Sequence, residues 1–178
     1  VVDTIIVGKT LGVDALAGVG ATGSVNFLVI GFCMGVCNGF AIPVAQKFGA
    51  RDYVTMRRFI ANSVWLSIGF AAVMTVLVSI FCRQILTLMR TPEDILEYSY
   101  SYILIVFIGI PATYLYNLLS GFIRSIGDSK TPLVFLVISS VLNIGLDLLL
   151  IMVFRMGVAG AAVATVLSQL ISGILCLI

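Results

Sequence analysis

The chain has 178 residues, 61% of them hydrophobic and only 10% charged, with a mean hydropathy of +1.20 and a net charge of +2. Soluble domains carry about 25% charged residues, so this composition excludes one and indicates an all-α polytopic membrane protein. No basic run or aromatic ladder points to nucleic acid as a partner.

A spanning helix needs about 20 mostly apolar residues. The chain opens inside an apolar segment, "VVDTIIVG", so residues 1–8 read as the tail of a first, truncated helix. With no initiator Met and an apolar run at the other end, the sequence reads as a piece of a longer protein. Residues 16–45 form a long, Gly-rich, uncharged second segment. Within it Cys33 and Cys37 share one helical face; with no His and no second paired-Cys motif, they read as small packing residues rather than zinc ligands. A third helix is predicted over 59–82 and a fourth over 98–123, with Pro111 inside it. The following "GDSKTP" lacks the spacing of a phosphate-binding loop; Thr131 is expected to cap the next helix, with Pro132 in its first turn. The fifth helix is predicted over 133–154 and the sixth over 158–178, separated by the short turn "RMG". Gly157 with Ala161, and Gly160 with Ala164, have the small-x-x-x-small spacing that lets helix backbones approach closely.

Alternating loops sort the basic residues by side. Lys47, Arg51, Arg57, Arg58, Arg124 and Lys130 fall on one; Lys9, Arg83, Arg90 and Arg155 on the other. The positive-inside bias places the first group in the cytoplasm.

Only Asp3 and Asp147 are carboxylates inside apolar segments. An Asp at a helix centre costs about 2.5–3.5 kcal/mol on insertion scales, and such groups by default mark an ion or proton site. Asp147 lies nine residues before Met156 in the hairpin turn, and Thr165 nine after it, so both are expected about 13 Å from that turn. Asp3 lies six residues before Lys9, about 9 Å in from the same side. Asn143 is one turn from Asp147 on the same face. These four can converge in the outer half of the membrane, offering oxygen ligands to a hard cation such as Na⁺ or, if dry, sharing one proton. Asn26, Asn117, Tyr116 and Gln169 are polar residues in the spans that can line a substrate path or bridge helices.

Five stretches resemble the MATE (multidrug and toxic compound extrusion) family, in order and with spacing kept: "VVDTIIVGKTLGVDALAGVG", "PVAQKFGARD", "GFIRSIGDSKTP", "LNIGLDLLLI" and "GVAGAAVATVLSQ". The resemblance implies a twelve-helix transporter of two six-helix lobes, this chain being the N-terminal lobe over residues 1–178 and its partner the C-terminal lobe of the same protein. It implies a multi-pass antiporter of a prokaryotic inner membrane, expelling cationic or amphipathic drugs against Na⁺ or H⁺, with no cofactor. In the branch resembling DNA-damage-inducible F proteins the cation site carries over to Asp3, Asn143, Asp147 and Thr165. The rival reading is a flippase for lipid-linked precursors within the same wider superfamily. Such flippases usually need basic residues in the central cavity, and these spans contain none. An intramembrane enzyme is disfavoured, because His is absent and no Lys lies mid-span.

Overall fold

The computed structural model describes residues 2–90 and 92–177, without the side chains of residues 2–4 and 10. The described residues are almost entirely helical: α1 (Val2–Thr10), α2 (Val13–Gly49), α3 (Tyr53–Leu88), α4 (Glu93–Ile108), α5 (Ile110–Ser125), α6 (Lys130–Leu148) and α7 (Val158–Leu175). A π-helical stretch, Leu149–Val153, continues α6 toward the hairpin turn. Helices α2, α3, α6 with its π stretch, and α7 are long and apolar enough to cross a membrane, and the α4–α5 pair makes a fifth span. At 37 and 36 residues, α2 and α3 are about 55 Å long and overrun a hydrocarbon core of about 30 Å. Their excess length carries the polar ends of the segments predicted over 16–45 and 59–82.

The segment predicted as one helix over 98–123 is instead two, meeting at Gly109 with a bend of 47°. Pro111 is the cause. It has no N–H to donate to the Phe107 carbonyl, and its ring pushes that carbonyl aside. Gly109 then serves the packing: a Cβ there would meet Val166 Cγ2 on α7 at 2.2 Å. The break therefore comes nearer to α7 than any side chain permits.

Turn chemistry differs from the expectation at two places. Asp128, not Thr131, caps α6: its Oδ1 accepts from the backbone N–H of Lys130 (3.0 Å) and Thr131 (3.1 Å), and its Oδ2 accepts from the Thr131 hydroxyl. Gly157 belongs to the turn, at φ +63° beside Arg155 at φ +52°, rather than to a packing face. Gly160, Ala161 and Ala164 do pack, all buried within the lobe.

Two apolar cores result. Val44, Leu86, Ile103 and Phe107 anchor the one formed by α2 to α5, which also contains Cys33 and Cys37. Val7, Ala15, Ile151, Val158, Ala161 and Ala162 anchor the other, joining α1, α2, α4 and the α6–α7 hairpin. Large apolar side chains cover the outside: Phe27, Trp65 and Leu88 are 82%, 75% and 85% exposed. Such a surface is matched to an apolar surrounding, not to water.

Candidate functional site

Helix α6 presents Asn143 and Asp147 one turn apart, and α7 presents Thr165 opposite them. Asp147 is fully buried, the only carboxylate among the described residues that is. Asn143 Nδ2 donates to Thr165 Oγ1 at 3.4 Å, and the Thr165 hydroxyl donates to Ala161 O at 3.0 Å. The same α6–α7 seam is tied further along by Ser139 Oγ donating to Ser168 O (3.2 Å) and Ser172 Oγ to Phe135 O (3.3 Å). The π stretch begins two residues beyond Asp147. Such stretches occur mostly as single turns within α-helices, frequently at functional sites. Asp3 lies on α1, which packs against α6 and α7; its side chain falls outside the described residues.

The four span polars Asn26, Tyr116, Asn117 and Gln169 line one cavity of about 350 Å³ between α2, α4, α5, α6 and α7, and Thr165 reaches the same cavity. Thr113, Tyr116, Asn117 and Ser120 of α5 all line it. Two of the four are committed to backbone. Tyr116 Oη donates to Pro132 O at 3.2 Å, bridging α5 to α6, and Asn117 Nδ2 donates to Thr113 O at 2.8 Å within its own helix. Asn26 Oδ1 and Gln169 Oε1 are buried without a hydrogen-bond partner among the described residues. A larger, open recess of about 870 Å³ at Arg83, Arg90 and Tyr100 shares no residue with this cavity.

Arg124, in the last turn of α5, also lines the cavity, so the expectation that the spans bring no basic residue to it, which told against a flippase, does not hold. Arg124 stands one residue past the apolar run and was therefore counted with the loop. The signal that could have found it is its position on the face of Ser120, Asn117 and Thr113, at helical spacings of four, seven and eleven.

A buried carboxylate next to an internal polar cavity, inside a bundle whose outer surface is apolar, defines a membrane-embedded transporter lobe. The MatE family profile matches residues 1–149, and the chain belongs to that family, whose members are transporters rather than enzymes. It is 36% identical over 168 residues to the probable multidrug resistance protein YoeA of Bacillus subtilis, covering 92% of this chain and 36% of that protein. It is 29% identical over 171 residues to DNA damage-inducible protein F of Escherichia coli, covering 94% of this chain and 37% of that protein. A crystal structure of MATE in the bent conformation superposes with a TM-score of 0.92 and 28% identity, over 98% of this chain and 39% of the other. The chain thus spans a little over a third of the length of these relatives, less than half and so within the extent of a single lobe of a two-lobe transporter.

Proposed function

We propose that the protein carrying this lobe exports cationic or amphipathic drugs from a bacterial cell across its inner membrane, by antiport against Na⁺ or H⁺. The observation that carries this reading is the continuity of two sites. Thr165 is at once the partner of Asn143 beside buried Asp147 and a wall of the cavity lined by Asn26, Tyr116, Asn117 and Gln169. A cation or proton at Asp147, with Asp3, Asn143 and Thr165 completing the site, changes charge one helical turn from Asn143, whose partner Thr165 lines the substrate path. It drives alternating access of this lobe against the C-terminal lobe only if it binds one conformer more tightly than the other. The name of the YoeA relative supports the drug-export part of this reading, and the bacterial sources of both relatives support the localisation part. The test is dye or drug efflux by the full-length protein in vesicles, with a Na⁺ gradient and a H⁺ gradient imposed separately. Efflux under one gradient and not the other identifies the coupling ion; efflux under neither refutes antiport.

A further inference from the structure

The open recess at the end of α3 combines two cations, Arg83 and Arg90, with the apolar side chains of Ile80 and Leu88. Ile80 and Leu88 are 64% and 85% exposed, and Leu77 and Phe81 continue the same exposed apolar face toward the middle of the span. Among the described residues neither arginine is ion-paired; the pair they form is Lys47 with Asp52. Glu93, Asp94 and Glu97 at the start of α4 are not in the lining. Two like charges sharing one recess are suited to an anion whose oxygens both guanidinium groups can grip. Depth indicates which anion. Between Arg58 and Arg83, α3 carries no charged residue, a distance of 25 residues or about 37 Å. The hydrocarbon core is about 30 Å thick, and about 40–45 Å with its headgroups. Arg83 therefore stands at headgroup depth, and the loop charges put this end of α3 in the outer leaflet.

The backbone brings the second arginine to the first. A helix running straight on would carry residue 90 about 10 Å beyond Arg83. Instead Arg90 takes φ +54°, its N–H donates back to Thr87 O at 3.0 Å, and it lines the same recess. The left-handed position after a helix usually goes to Gly, because a Cβ disfavours it. Among the described residues the non-glycines with positive φ are Arg51, Arg90 and Arg155, each one residue beyond the C-cap of a spanning helix. Arginine holds all three places against the preference of the backbone, which makes the guanidinium the reason for it. At Arg90 alone a second arginine lines the same recess.

We propose that Arg83 and Arg90 hold the phosphate of an anionic phospholipid of the outer leaflet, whose acyl chain lies along Ile80, Phe81 and Leu77. A free phosphate would use the two cations but leave the apolar side of the recess uncovered; a lipid satisfies both. The test places the full-length protein in phosphatidylcholine vesicles with a trace of phosphatidylglycerol that carries a diazirine on one acyl chain. After photolysis the labelled peptides are mapped by mass spectrometry. In the wild type the label falls on residues 77–88. It drops about tenfold in Arg83→Gln and in Arg90→Gln, the effect of one charge-assisted hydrogen bond. A diacylglycerol with the same diazirine chain labels the wild type as weakly, and an excess of inorganic phosphate leaves the phosphatidylglycerol label in place. Arg90→Gly separates guanidinium from backbone: it raises the melting temperature in detergent, since Gly accepts the left-handed position, yet loses label as Arg90→Gln does. No label on residues 77–88, equal labelling by phosphatidylglycerol and diacylglycerol, or full labelling in the arginine variants overturns the proposal. Loss of the label to inorganic phosphate overturns the lipid as occupant and makes the recess a soluble-anion site.

Discussion

Substituting Ala for Gly109 would place a methyl carbon 2.2 Å from Val166 Cγ2, 2.8 Å from Cγ1 and 3.0 Å from Cβ. Carbons in contact rest at about 3.5–4.0 Å, so the shortfall against the nearest methyl is at least about 1.3 Å. Rotating Val166 offers no escape, because its Cβ and both its methyls are too close and a helical Val is held in one χ1 well. Either α7 moves away from the α4–α5 break or the break opens. Overpacking of this kind costs about 1–3 kcal/mol. Removing a glycine recovers only about 0.4–1 kcal/mol through the unfolded chain, since Gly109 at φ −79° and ψ −2° is in a conformation open to Ala. The net effect is a loss of stability, together with displacement of Thr165 next to Val166. The assay is thermal melting of the purified full-length protein for Gly109→Ala, Val166→Ala and the double variant. The double variant should melt above the Gly109→Ala single, with a favourable coupling of about 0.5–3 kcal/mol. If Gly109→Ala melts at or above the wild type, or if the two changes merely add, the close approach of the break to α7 is not what requires the glycine.

Two further predictions concern the frame around the cavity. Tyr116→Phe removes the bond to Pro132 O and should lower stability by about 0.5–1.5 kcal/mol, read as a lower melting temperature; an unchanged one would show that this α5–α6 bridge contributes nothing. Asp128 is held below the usual carboxylate range first by the Thr131 hydroxyl and then by the Thr131 backbone N–H. A depressed folded pKa means that its contribution is complete above the unfolded value of about 3.9 and is lost as pH falls through the folded one. Asp128→Ala should therefore melt below the wild type at pH 7, with the gap closing in strong acid; a gap independent of pH refutes the carboxylate's role as the cap.

Hydropathy made the spans legible because each is a long apolar run, and the convergence of Asn143 and Thr165 was legible because a three-residue turn fixes both helices from one origin. The break at Gly109 was not. Pro111 inside an apolar run is compatible with a gently kinked single helix; that the break it causes reaches 47° and seats Gly109 against Val166 of α7 is a tertiary fact. Arg124 escaped notice for a related reason: an apolar-run criterion ends at residue 123, while the helical face continues to Ser125. Asp128 displaced Thr131 as the cap because both are good capping residues three apart, and only the backbone decides which one stands outside the first turn.

Vesicle efflux by the full-length protein, comparing wild type with Asp147→Asn at equal expression and under the ion gradient that drives the wild type, tests the central claim most directly. The neutral amide keeps the size and shape of the buried carboxylate but cannot exchange a proton or balance Na⁺. The account predicts that gradient-driven efflux is lost while equilibrium drug binding persists; full-rate efflux by Asp147→Asn would contradict it.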